Sequence, residues 1–314
     1  MALDKNIVVL VGGVGGAKLA LGLAQIVPAQ RLTFVVNTGD DFWHLGLRIC
    51  PDLDTVMYTL AGLVDPHWGW GLKGDSVVAL ETLHSFYGVD TWFRLGDKDL
   101  ATHLQRSHLL RCGRSLTEAT RRLSKSLDVD AALLPMSDEE IPTMIETVEY
   151  GELAFQEYFV KYQWQPVLKS VRHAGCERSS LPSRVRSALS EADIVLIAPS
   201  NPWLSLAPIL AVNGMRDLLT SLDVPIVAVT PIIGGAAVKG PTAKIMSELG
   251  QEVTPANIAS FYTGIINGFV NDIQNEPLER SDLRSIQVNT LMKTEADKKS
   301  LAGATLNWIE SWGA

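Results

Sequence analysis

Four aspartates crowd a short stretch: Asp40 and Asp41 in "NTGDDFW", Asp52 and Asp54 in "PDLDT". Carboxylates placed this way can hold Mg²⁺, which takes oxygen ligands and usually keeps one or two carboxylates plus substrate phosphates. The same residues also have plainer uses. Asp40 or Asp41 can cap a helix, and Asp52 can cap the one begun by "LDTVMYTL". Asp54 lies a turn into that helix and faces the same loop, which makes it the better ligand.

Three other segments suit phosphate. "GGVGGAK" (12–18) follows an apolar run and opens a helix. Its Gly12, Gly13 and Gly15 let backbone approach an anion, and a helix start offers free N–H groups; Lys18 adds charge. It is not a P-loop, because GxxxxGK[ST] is absent. It is a poor dinucleotide fingerprint, with Lys18 where the third glycine belongs and Asn37 where a ribose-binding acid is expected. "GPTAK" (240–244) reads as a helix start, with Gly240 allowing close approach and Lys239 and Lys244 able to neutralise phosphate. "PSNP" (199–202) is a turn whose Ser200 and Asn201 can read a base or ribose, although it can also simply end a strand.

Other residues have ordinary readings. His103 and His108 are five apart, not the i, i+4 of a zinc helix, and read as structural or supporting contacts. Arg106, Arg111 and Arg114 read as a solvated helix face. Trp43, Trp68, Trp70 and Trp92 read as core, with stacking on a flat ligand as the alternative.

These residues need a frame. The runs "IVVLV" (7–11), "LTFVVN" (32–37), "ADIVLIA" (192–198) and "PIVAVT" (225–230), and the weaker "AALLPM" (131–136), are continuously apolar, as strands covered on both faces are. Helical patterns lie between them at 16–27, 77–87, 115–126 and 183–190. The alternation predicts a Rossmann-like, doubly wound α/β fold with a mainly parallel sheet. Ligands in such sheets sit beyond the carboxyl ends of the strands, where the loops above converge. The chain reads as one domain: a core of about 1–60 and 131–295, a smaller helical insertion of about 61–130, and a polar helical tail of about 280–314. Residues 143–165 read as a hairpin.

Bulk properties exclude some classes. The 314 residues carry a net charge of -8, against a general nucleic-acid or membrane-surface binder. Cys50, Cys112 and Cys176 are scattered, without CxxC, which fits a reducing cytoplasm. The nearly apolar stretch 7–27 carries Lys18 near its centre and reads as strand, loop and helix rather than a membrane span.

Taken in order, "GGVGGAKLALGL", "VVNTGDDFWHLGLRICPDLDTVMYTLAG", "WFRLGDKDLATHLQRS", "LPMSDEEIPTMIET", "APSNPWLSLAPIL" and "PIIGGAAVKGPTAKIM" closely resemble the 2-phospho-L-lactate transferase family of coenzyme F-420 biosynthesis. The resemblance runs from about residue 7 to 295. It implies a deazaflavin acceptor with a ribityl chain, a guanosine diphosphate ester of lactate, enolpyruvate or glycerate as donor, GMP as leaving group, Mg²⁺ on the diphosphate, and a dimeric protein. It makes Asp54 the Mg²⁺ and acceptor-site carboxylate, with Asp54 or another acid of the cluster, such as Asp41, as general base. It places Asp97 and Lys98 of "LGDKD" at the substrate site; the family often has arginine at Lys98, and lysine loses the bidentate grip. The glycine loop, Asn37, Asp40, Ser200 and Asn201 would hold the donor. A sister family with similar glycine and "PSNP" segments resembles nucleotide-sugar-binding regulators. The "PDLDT", "LGDKDLATH" and tryptophan-rich segments favour the transferase, and the missing fingerprint disfavours an NAD enzyme.

Overall fold

A seven-stranded parallel sheet organises the protein, in the spatial order Arg284–Val288, Gly268–Asp272, Ile226–Val229, Ile194–Ile197, Ile7–Val11, Leu32–Val36 and Ala132–Pro135. This computed structural model describes residues 4–237 and 240–313, so Lys239 lies outside the described residues. Side chains alternate across the sheet, and the core follows that period. Ile7, Val9 and Val11 join one buried cluster, and Val8 and Leu10 join the other. Both faces are covered, which is why the strands read as unbroken apolar runs.

Strand order reverses at the strand Ile7–Val11. The chain first adds Leu32–Val36 and Ala132–Pro135 on one side, then returns to add Ile194–Ile197 on the other. A crevice opens at such a switch point, between the loops that leave the two diverging strands. Here those loops are Gly12–Lys18 and Pro199–Pro202.

Helix α1 (Gly13–Ala24) starts directly after the first strand and packs against α2 (Pro51–Leu60) and the C-terminal helix Glu295–Glu310. The α1 contact with the last helix is close. A Cβ at Gly22 would lie 2.2 Å from the Lys298 carbonyl oxygen, so only glycine fits. Helices α3 (Val78–Tyr87), α4 (Asp97–Arg111) and α5 (Leu116–Ser126) follow before the strand Ala132–Pro135. Ser115 and Glu118 close a capping box at the start of α5. No helix among the described residues is long and apolar enough to cross a membrane.

Three segments differ from expectation. The strand Gly268–Asp272 is fully buried but short, and it begins with glycine, so no long apolar run marks it. The tail is not helical throughout, because Arg284–Val288 forms an edge strand whose half-exposed residues resemble a polar helix in composition. The hairpin gains a third strand: Thr143–Thr147 pairs with both Gly151–Ala154 and Leu168–His173, and a π-helical turn, Glu157–Lys161, fills the gap.

Candidate functional site

The loops at the switch point and helices α2 and α4 enclose a cleft of about 630 Å³. Gly12, Gly13, Gly15, Lys18, Ser200 and Asn201 line the side made by the sheet. Asp40, Asp52, Asp54, Asp99 and His103 line the side made by the helices and their loops. Gly240 lines the cleft as well.

Gly12 and Gly15 are there for lack of room, and Gly13 for its φ of +64°. A Cβ at Gly12 would stand 2.6 Å from Asp52 Oδ2, and one at Gly15 would stand 2.5 Å from the Pro199 carbonyl. Ser200 Oγ donates to the Gly12 carbonyl at 2.6 Å and so ties the two loops together. Asn201 accepts from the amides of Trp203 and Leu204, capping a π-helical turn, and its Nδ2 donates to Thr242 Oγ1 at 3.0 Å. These two side chains therefore brace the cleft wall. Lys18 Nζ donates to the Met292 carbonyl at 3.0 Å.

Helix α1 has no side-chain cap, and its N-terminus faces the cleft. Asp52 sits against this N-terminus, where the Gly13 amide stabilises its charge. Asn37, buried beneath, donates to Asp40 Oδ1 at 3.0 Å and to Asp52 Oδ2 at 2.9 Å. Burial still dominates: it pushes Asp52 up to about 6, and it raises Asp40 well above the usual carboxylate range, helped by the nearby charges of Asp52 and Asp41. A phosphate entering this helix start meets two buried acids, so a proton or a cation has to accompany it.

The opposite wall carries a buried ion network. Arg106 is 1% exposed and grips both oxygens of Asp54, one through Nη2 and one through Nη1 at 3.0 Å. Burial raises the Asp54 pKa, and the Arg106 and His103 contacts hold it back. The Asp54, Asp99 and His103 donor atoms lie within 4.8 Å of one another, a group able to hold a metal ion. His103 Nδ1 is 3.3 Å from Arg106 Nη1. The same Nδ1 lies 3.6 Å from Asp54 Oδ2, and Nε2 lies 3.3 Å from Asp99 Oδ2, so the ring sits between the two carboxylates. Burial pushes Asp99 up, but the contacts with His103 and Tyr58, whose hydroxyl donates at 2.6 Å, outweigh it and leave the carboxyl below its usual range. His103 borders both carboxylates, and Asp54 and Asp99 bring the oxygen donors of the group. Both keep lone pairs after accepting these bonds.

Several expected residues do other things. Asp41 points away from the cleft: its carboxylate is sealed in, 3.7 Å from Arg48, and burial raises it to about 7. Asp97 accepts from Ser76 Oγ and from the amides of Val78 and Ala79, holding the start of α3. Lys98 Nζ reaches the Lys73 and Gly74 carbonyls on the surface. Lys244 Nζ donates to the Pro166 carbonyl and to Glu248, both at 2.8 Å. None of these four lines the cleft. Arg106, expected on a solvated face, is the most enclosed charge of the site. Asp99, His103 and Arg106 carry a signal in the sequence, because i, i+4 and i+7 fall on one helical face. Trp68 and Trp70 line the cleft, whereas Trp43 and Trp92 line a neighbouring cavity of about 280 Å³.

The profile of 2-phospho-L-lactate transferase CofD matches residues 7–311. The chain belongs to this transferase family. It is 40% identical over 299 residues to the 2-phospho-L-lactate transferase of Methanosarcina acetivorans, covering 94% of this chain and 96% of that protein. It is 40% identical over 284 residues to the phosphoenolpyruvate transferase of Mycolicibacterium smegmatis, covering 84% and 87%. A crystal structure of a UPF0052 family protein from Bacillus halodurans shares the fold, with a TM-score of 0.62 and 17% identity over 96% of this chain and 98% of that one.

Proposed function

We propose that this chain transfers a phospho-three-carbon-acid group from a guanosine diphosphate ester to the ribityl hydroxyl of a deazaflavin in coenzyme F-420 biosynthesis, releasing GMP. The carrying observation is one cleft that joins an anion-accepting helix start to an acidic pair, Asp54 and Asp99, backed by a buried arginine. Phosphoryl transfer needs neutralised charge and in-line positioning more than covalent help.

In this reading the glycine loop and the α1 N-terminus receive the diphosphate. Asp54 and Asp99 would hold Mg²⁺, whose charge would offset that of the diphosphate; carboxylate oxygens suit this hard cation. Arg106 fixes Asp54, and His103 and Tyr58 fix Asp99. Asp41 is sealed from the cleft and Asp54 is held at both oxygens, which leaves Asp40 and Asp52 as the acids placed to take the hydroxyl proton. The protein acts in the cytoplasm as a homodimer, as the family resemblance implies.

The test mixes the protein with the deazaflavin riboside, Mg²⁺ and the lactyl, enolpyruvyl and glyceryl donors in competition. A phosphoacyl–deazaflavin product with GMP supports the proposal, and the product mass identifies the acid. A folded protein that makes no product but binds a nucleotide sugar tightly contradicts it.

A further inference from the structure

Among the described residues, Lys18 and Arg94 are the lysine and the arginine that line the cleft, beside the aspartates Asp40, Asp52, Asp54 and Asp99. Lys18 is engaged with the Met292 carbonyl. Arg94 has no part in the mechanism above. It is exposed, and it makes no hydrogen bond or ion pair with any described residue, so the aspartates of the cleft do not neutralise it.

Its neighbours in the chain are anchored. Leu95 is 1% exposed, and the Phe93 ring meets Phe42 edge-on at 4.8 Å and Trp92 edge-on at 5.7 Å. The backbone is therefore pinned on both sides of Arg94 while its guanidinium stays unengaged. A pinned root leaves less freedom to lose when a ligand orders the head. The groups next to it are already committed. Asp75 accepts from the Lys98 and Asp99 amides at 2.8 and 3.0 Å, which closes the start of α4 to another anion. Lys98 Nζ is turned to the Lys73 and Gly74 carbonyls. An anion that reaches this end of the cleft meets Arg94.

The donor carries charge in two places. Its diphosphate meets the α1 N-terminus and the cation that Asp54 and Asp99 would hold. Its three-carbon acid carries a carboxylate as well, whichever acid it is, and the mechanism leaves that charge without a partner. Placing a carboxylate among four aspartates is costly unless a cation accompanies it. Arg94 precedes Asp99 by five residues and lines the same wall, on the side where the transferred group must sit. A guanidinium matches a carboxylate through two parallel N–H bonds.

We infer that Arg94 binds the carboxylate of the three-carbon acid and so selects acid-bearing donors. The inference rests on the proposed function and names the residue that recognises the transferred group. Arg94 contacts the donor but not the reacting phosphorus, so it acts on donor affinity rather than on turnover. GDP and the deazaflavin riboside lack a carboxylate and give it nothing to read.

Steady-state transfer with the lactyl, enolpyruvyl and glyceryl donors, and calorimetric titration with GDP and with its P-ethyl ester, test this on wild type, Arg94→Met and Arg94→Lys. Arg94→Met raises the donor KM about tenfold, the scale of one hydrogen-bonded charge pair at a partly exposed site, and kcat stays within about twofold. Affinities for GDP and for its ethyl ester also stay within about twofold, because neither carries the carboxylate. Arg94→Lys recovers part of the donor KM, since it keeps the charge and loses the two-pronged geometry. Thermal melts of the same samples confirm folding. An unchanged donor KM in Arg94→Met overturns the inference, and so does a fall in kcat alone. An equal loss for GDP and its ethyl ester assigns Arg94 to the diphosphate and overturns it too. Wild type that makes no product with any of the three donors overturns the functional reading and the inference together.

Discussion

The two polar walls of the cleft solve the same problem, an anionic ligand, by different means. The sheet-end wall uses backbone: Gly12 and Gly15 crowd Asp52 and Pro199 so closely that no side chain fits, Gly13 takes a φ of +64°, and Ser200 locks the loop. The helical wall uses buried charge: Arg106 holds Asp54, and His103 and Tyr58 hold Asp99. The first wall is rigid because it is short of space. The second is rigid because each charge would be costly to bury without its partner. Damage to the first should therefore act through shape, and damage to the second through charge.

Arg106→Met gives the largest stability loss. It leaves Asp54 buried beside Asp99 without a counter-charge, and breaking such a pair costs about 3–5 kcal/mol. Urea unfolding measures this, and a change under about 1 kcal/mol would separate the pair from the fold. Gly15→Ala comes next. Its methyl group collides with the backbone at Pro199, and overpacking of this kind costs about 1–3 kcal/mol. GDP affinity falls with it, because the two loops part. A Gly15→Ala protein that binds GDP normally would show that the loop is not read by shape.

A third prediction concerns pH. Asp41 has its folded-state pKa raised to about 7, above the ordinary carboxylate value of an unfolded chain. The folded state then binds the extra proton between about pH 4 and 7, so stability is greater in acid and falls as pH rises through that window. Asp41→Asn removes the term. It should flatten the slope and stabilise the protein at pH 8, since Arg48 keeps Glu140 at 3.0 Å as a partner. Melts at pH 5 and pH 8 check it, and an unchanged slope would place the titration elsewhere. The smallest effect belongs to Lys98→Ala. Its ammonium bonds surface carbonyls away from the cleft, so kcat/KM should stay within about threefold, the change expected for about 0.6 kcal/mol.

The two walls also differed in how far they could be read from sequence. The glycine loop, "PSNP" and the acidic pairs announce themselves because turns and close approaches demand particular residue types. The five apolar runs did the same for the sheet. The helical wall was partly hidden. Asp54 is visible by its place in "PDLDT", but Asp99 and Arg106 sit in a polar helix whose burial comes from packing against α5 and the short strand Leu47–Ile49, not from its own composition. Arg48, on that strand, also pairs with Asp41. Lys244 shows the opposite error. A lysine at a helix start reads as a phosphate ligand, and only the fold reveals Tyr158 and Pro166 beside it. Arg284–Val288 was missed because an edge strand with one wet face has the composition of a tail.

The central claim is that transfer is driven from the helical wall, at Asp54 and Asp99. Asp99→Asn tests it most directly, since its side chain borders the cleft and asparagine can still accept from Tyr58. GMP release would be timed for wild type and variant with saturating donor and deazaflavin, and both substrate affinities measured alongside. The account predicts a fall in kcat of about 10²–10³-fold, the scale of losing one charge-stabilising group at a reaction centre, with donor binding weakened and deazaflavin affinity nearly unchanged. Turnover close to wild type would contradict it and move the reaction centre away from this wall.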